Sequence, residues 1–355
     1  MDRAASFRLL VGASTFGAAT VALVWSIIGT RRSRLGMVAP ATAKTPYAMN
    51  PWTVEADKKR LASYFTDVRA KRVQDVVPRG LPLPDHIKPF AEYMVRRSKK
   101  PLTNRDIVKA YLMTVGSMQR SAISPQKVEE YWPAFEQTRP GKIRPEDVLG
   151  QLLRTSAGQR YLDAAAQGRL DRQAATAVAG AFDAFGLGNR FRAQLAKAPE
   201  LARQGDTIRR KLRGNRAGWY KFIGDGNMPG IKLSKAGFIA ALLGRGDITT
   251  ADARQVNFWT CPRGAWDSKK LLCTFPAIGR SVKGQWRPGQ FDRLESLVDA
   301  NYIEQLNKQM RGLKVSMPAR YQPFYEHLTH HTFWDRIGGT KTTHQEIIEA
   351  MELAG

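Results

Sequence analysis

The stretch Met228-Pro229-Gly230-Ile231-Lys232-Leu233-Ser234-Lys235-Ala236-Gly237-Phe238-Ile239-Ala240-Ala241-Leu242-Leu243-Gly244 decides how this chain is read. Pro-Gly is a sharp-turn dipeptide, because proline presets one backbone torsion and glycine tolerates the next. After it, Ala236, Ile239, Ala240 and Leu243 recur at helical spacing, and Gly244 supplies a C-terminal stop. A turn that leads straight into a helix leaves backbone amides facing outward, where a phosphate can meet them. The small Ala236 and Gly237 admit a close neighbour.

Outward from this turn the same periodicity recurs. Leu61, Tyr64, Phe65 and Val68 predict a helix over about 54–74, and Thr103-Asn104 starts another with Ile107, Val108, Tyr111, Leu112 and Val115 on one face. Ser124-Pro125 opens a further one, with serine as cap and proline in the first turn. Helices are also expected at 145–154, 158–167, 171–185 and 190–213. Few stretches alternate as strands do, so the body reads as all-α. Between 260 and 288 the period is lost: Trp266 and Trp286, with Trp259 just ahead, sit among Gly, Pro, Arg and Lys. That segment reads as an irregular excursion, whose tryptophans either anchor it to the core or stack on bases. Helical character returns over 291–309 and 343–353.

At the other end, residues 9–30 carry no charge and are long enough to cross a bilayer as a single transmembrane helix. Arg31, Arg32 and Arg34 follow at once, which places the large C-terminal body on the cytoplasmic side or inside a virion. A cleaved signal peptide is the rival reading, with Ala39-Pro40-Ala41 as its cleavage-like site. Residues 1–8 are then a tail, and 31–52 a linker rich in Ala, Pro and Thr.

Charge narrows the partners. Lys and Arg number 56 against 31 Asp and Glu, a formal net charge of +25, which attracts nucleic acid or anionic headgroups. From Arg203 to Asp247 ten Lys or Arg face three Asp, the cations concentrated in Arg209, Arg210, Lys211, Arg213, Arg216, Lys221, Lys232, Lys235 and Arg245. Two cysteines, Cys261 and Cys273, exclude a disulfide scaffold, a four-thiolate zinc site and an iron–sulfur cluster. They read as ordinary thiols, with pairing left open for an oxidising compartment. The run Glu326-His327-Leu328-Thr329-His330-His331 has metal-ligand spacing, but Phe333 and Trp334 beside it favour a packed segment, and no metal is expected. No Walker loop, dinucleotide fingerprint or Ser/His/Asp arrangement implies a cofactor.

The Pro-Gly turn, the Ser234-Lys235-Ala236 helix start and Asp252, sixteen residues beyond Ala236 in Thr249-Thr250-Ala251-Asp252-Ala253-Arg254, together resemble the core of the helix-hairpin-helix DNA glycosylase superfamily, the endonuclease III-like enzymes. Those proteins carry a Leu-Pro-Gly-Val-Gly turn, a Lys-Thr-Ala start and a loop aspartate. The resemblance covers about residues 219–259. It implies an all-α fold with a helix-hairpin-helix, phosphate contact through Gly230, Lys232, Ser234 and Lys235 with Arg254 nearby, and a catalytic Asp252. Two positions depart from the pattern: Lys232 replaces the second glycine, and Ser234 stands where bifunctional members have their nucleophilic lysine, with Lys235 displaced by one. Asp252 also fits a plain N-cap for 253–259. The order of parts, over 106–120, 144–166 and 230–254, resembles proteins of marine bacteriophages, which implies a virion or infection-stage component.

The expected organisation is therefore an all-α body with a helix-hairpin-helix behind one membrane helix: a helical domain at 53–200, a basic helix-hairpin-helix region at 201–259, the excursion at 260–288 and a helical end at 289–355. The leading function is membrane-anchored, sequence-independent binding of duplex DNA, with the bilayer as second partner through 9–30. The alternatives are a base-excision glycosylase using Asp252, and a structural membrane protein of a virion or organelle.

Overall fold

Side-chain oxygens set where the helices begin. In the computed structural model Ser124, Thr155, Asp171, Asn215, Asp252 and Asp299 each accept a hydrogen bond from a backbone amide three residues ahead, satisfying donors that the first helical turn leaves unpaired. Residues 59, 61–62, 70–117, 123–136, 143–185, 188–261, 266–267, 272–273, 297–337 and 345–352 are described. Their helices are α1 Ala70–Val76, α2 Lys88–Ser98, α3 Asn104–Ser117, α4 Pro125–Tyr131, α5 Pro145–Arg154, α6 Ser156–Ala166, α7 Arg172–Ala184 and α8 Gly188–Arg203. They continue with α9 Gly205–Arg213, α10 Arg216–Gly224, α11 Ala236–Leu242, α12 Ala253–Thr260, α13 Ala300–Gly312, α14 Tyr325–Arg336 and α15 Gln345–Glu352.

The protein is mostly helical. Strand pairing among the described residues consists of a two-residue antiparallel hairpin, β1 Trp266–Asp267 with β2 Leu272–Cys273, and isolated bridges. That hairpin falls inside the segment expected to be wholly irregular. Cys261 is disulfide-bonded and Cys273 is the chain's other cysteine, so the expectation of two ordinary thiols is corrected. The apolar run 9–30, the linker 31–52 and most of 260–288 lie outside the described residues. Among the described residues no helix is long and apolar enough to cross a membrane.

Helix α3 is the centre of the body. Every residue from Asp106 to Gly116 is buried, and α5, α6, α8, α11 and α15 pack around it. The sequence marked one apolar face here; burial extends to the two charged residues opposite it. Asp106 pairs with the Arg97 guanidinium at 3.1 Å, and the Lys109 ammonium donates to the Met351 carbonyl. Burial pushes the Lys109 amine down to about 8, against the pull of Asp106. Aromatic packing joins α7 to α8 through Phe182 and Phe191, whose ring centroids are 4.4 Å apart.

Helices α10 and α11 flank the Pro-Gly turn. The Trp219 indole, fully buried, donates to the Ala236 carbonyl at 3.0 Å and so pins α10 to the head of α11. Loss of that side chain costs about 3–5 kcal/mol, the usual range for a buried aromatic. Helix α11 is buried all round, from Ala236 through Leu242, and not on one face alone. Gly237 meets the Ile248–Thr249 backbone so closely that a Cβ would lie 2.1 Å from the Thr249 carbonyl oxygen, so glycine is required there. Gly244, at φ 87°, ends the helix as its sequence position predicts. Residues Trp52–Gly355 form one compact unit.

Candidate nucleic-acid interface

The turn is a Met228-Pro229-Gly230-Ile231 reversal closed by the Ile231 amide on the Met228 carbonyl at 3.0 Å, with Gly230 at φ 81°. Proline at the second position and glycine with positive φ at the third are what such a turn needs. Its base is fixed from behind, because the Tyr111 hydroxyl donates to the Pro229 carbonyl at 2.7 Å and to the Gln194 side chain. Its outer side is open: Gly230 and Lys232 are exposed and Ser234 and Lys235 half-buried, while Met228 and Ile231 are buried. Among the described residues, the amides of Gly230, Leu233 and Ser234 enter no hydrogen bond, which leaves three donors in the residues on either side of the exposed Lys232.

The Asp252 loop is joined to the turn by the Ala251 amide, which donates to the Ser234 carbonyl at 3.1 Å. Asp252 itself caps α12, accepting from the Gln255 amide at 2.9 Å, so the plain capping role read from the sequence is present. Its carboxyl is nevertheless held above the usual range. Desolvation raises it, and the Gln255 amide, Lys235, Arg254 and the Trp334 indole pull the other way. The Tyr302 phenol is buried beside it and is pushed up by burial and by the Asp252 charge. Arg254 lies over the Trp334 ring, 5.7 Å from its centroid.

Lys235 also faces a second carboxylate. Glu146, at the head of α5, is half-buried; desolvation and Asp147 push it up to about 7, while Arg144 and Lys235 draw it down. One ammonium thus stands in the field of two carboxyl groups of raised affinity for protons. Sequence spacing reaches Asp252 and Lys235. It cannot reach Glu146, Tyr302 or Trp334, which arrive from helices 50 to 106 residues away.

The remaining cations do not gather at the turn. Helix α11 has seven residues, roughly 10 Å of rise. Lys221, Lys232, Lys235 and Arg254 belong to its N-terminal end, whereas Arg209, Arg213, Arg216 and Arg245 belong to the other. Arg245 pairs with Asp247 at 2.6 Å and donates to the Leu212 and Gly214 carbonyls. Arg216 pairs with Glu304 at 2.9 Å, and Arg209 with Asp206 at 2.8 Å. Lys221 pairs with Asp225 on an exposed face. Arg210 is exposed and Lys211 half-buried. The single basic cluster implied by the sequence is therefore two groups, and several members serve internal pairs.

The histidine run is packed. His327 donates through Nδ1 to the Ile248 carbonyl at 3.1 Å and meets His331 through Nε2 at 3.0 Å, while His330 meets the Gln255 amide group at 3.1 Å. Burial pushes His327 down to about 4, and burial together with the charges of His327 and Lys235 pushes His330 well below its ordinary value. Trp259 is buried and serves the core; the side chains of Trp266 and Trp286, and His344, lie outside the described residues. Comparison of the chain with protein-family models, with curated proteins and with solved structures finds no match.

Proposed function

We propose that the protein binds duplex DNA without sequence preference through a helix-hairpin-helix formed by α10, the 228–235 turn and α11. The observation that carries this reading is the exposed turn with three uncommitted amides at Gly230, Leu233 and Ser234 beside Lys232. Amides grouped in this way donate to a phosphate oxygen, and a phosphate contact carries no base information. Lys232, where the resembling enzymes have glycine, adds a charge at the point of contact. The apolar run 9–30 tethers the body to a bilayer, as its length and flanking arginines suggest. The Cys261 disulfide fits a virion or another oxidising setting better than a reducing cytosol. The test is retention of duplex DNA by the full-length protein at rising salt, compared with Lys232→Glu.

A second reading is favoured by a separate observation. Asp252, of raised proton affinity, shares Lys235 with Glu146 and lies beside Tyr302. Carboxyl groups whose environments shift them are what acid–base work on a glycosidic bond requires. In this reading the ionised Asp252 stabilises positive charge developing on the sugar as the base leaves. A base-release assay with Asp252→Asn tests it: release lost with DNA retention intact supports it, and release absent from the unaltered protein on every damaged duplex tried removes it.

A further inference from the structure

Two basic runs more than a hundred residues apart, Arg96-Arg97-Ser98-Lys99-Lys100 and Arg209-Arg210-Lys211-Leu212-Arg213, end α2 and α9 side by side. Between them lies a groove of about 460 Å³ at the C-terminal end of α11, lined by Arg97, Lys100, Arg209, Arg213 and Arg245 with a single carboxylate, Asp247. We infer that this groove is a second phosphodiester-binding site, which lets the protein hold a further DNA segment apart from the one at the turn.

The internal work of the groove accounts for only part of its charge. The ends of α2, α9 and α11 present carbonyls there, and the negative end of a helix dipole is stabilised by nearby cations. Arg97 donates to the Lys100 and Pro101 carbonyls and pairs with Asp106; Arg245 donates to the Leu212 and Gly214 carbonyls and pairs with Asp247; Arg209 donates to the Leu102 carbonyl and pairs with Asp206. These three satisfy the local acceptors. Lys100 and Arg213 remain, both exposed, with no hydrogen-bond or ion-pair partner for their side chains among the described residues. Two uncommitted cations on opposite walls of a cationic groove suit a chain of regularly spaced anions, and a nucleic-acid backbone is such a chain. The groove and the turn lie at opposite ends of α11, and the groove's walls come from the ends of α2 and α9, which do not form the turn, so a phosphate held in the groove is not one held at the turn. Nucleic acid as the polymer rests on the DNA-binding reading above; the excess charge and its placement do not.

The test uses full-length protein in detergent, a short duplex fixed to beads and a second, labelled duplex in solution. The unaltered protein is expected to be held by the fixed duplex and to retain the labelled one. Lys100→Glu/Arg213→Glu, at exposed positions without partners, is expected to keep binding to the fixed duplex and to lose capture of the second by about tenfold or more. Arg169→Glu/Arg172→Glu, an equal charge change on another exposed surface, should leave capture unchanged. Capture unaffected by the groove variant overturns the inference. So does an equal loss of first-duplex binding in the groove variant and in Lys232→Glu, since the two places would then hold one duplex. If the unaltered protein retains no duplex at all, the DNA reading fails and the inference falls with it, a result distinct from the loss of bridging alone.

Discussion

The Ala251 amide donates to the Ser234 carbonyl at 3.1 Å, tying the residue before Asp252 to the exit of the Pro-Gly turn. This bond fixes the distance between the exit of the turn and the Asp252 carboxyl group. The turn and the aspartate are one rigid feature, and disturbance of either is felt at the other.

The turn's glycine is the first place to test that rigidity. Gly230 sits at φ 81°, and a Cβ there would lie 2.7 Å from the Gln194 amide nitrogen, a group itself held by Tyr111. Gly230→Ala should lower unfolding free energy by about 1–2 kcal/mol, the cost of a left-handed backbone for a residue with a side chain. Urea denaturation measures it, and DNA retention should fall in parallel.

Asp252 should show stability and function in opposition. Its folded-state proton affinity is raised, so the carboxyl contributes stability when protonated and loses that contribution as pH rises through the folded value. Asparagine keeps the cap on Gln255 and removes the desolvated charge. Asp252→Asn is therefore expected to melt above the unaltered protein at pH 7, with the difference closing on acidification. Asp252→Ala loses the cap as well, at a cost of about 1 kcal/mol.

The buried histidines give the opposite sign. His327 is pushed from 6.5 down to about 4 by burial, so the unfolded chain binds protons more readily than the folded one between those values. Stability is full above about pH 6.5 and is lost as pH falls toward 4. Melting temperature followed across that window should drop steadily, and a flat profile would contradict a buried, neutral His327.

Reduction should also destabilise. A bond from Cys261 to the chain's other cysteine closes a loop of roughly 13 residues, for which chain-entropy reasoning gives about 3 kcal/mol. A dithiol should lower the denaturation midpoint, and iodoacetamide should label the protein only after reduction.

What the sequence makes legible follows from the range of the forces involved. Helix starts at Ser124, Asp171 and Asp252, the Pro-Gly reversal and the Gly244 stop depend on neighbours within four residues, and each is present in the structure. The burial of Lys109, the closeness of Tyr302 to Asp252 and the field of Lys235 on Glu146 depend on which helices meet, which periodicity leaves open. The cations show the same limit. Arg209, Arg216 and Arg245 look alike beside Lys232 in one dimension, yet α11 separates them from the turn; Arg209 and Arg245 are held by acids two or three residues away, and Arg216 by Glu304 on α13. The Arg96–Lys100 run gains meaning only where α2 ends beside α9.

DNA binding through the 228–235 turn requires that the turn meet phosphate. The most direct measurement is the salt dependence of duplex binding by the full-length protein, unaltered and as Lys232→Glu. The account predicts binding that weakens linearly in log affinity against log salt, with a slope smaller by about one in the variant. Identical slopes and affinities for the two proteins would contradict it.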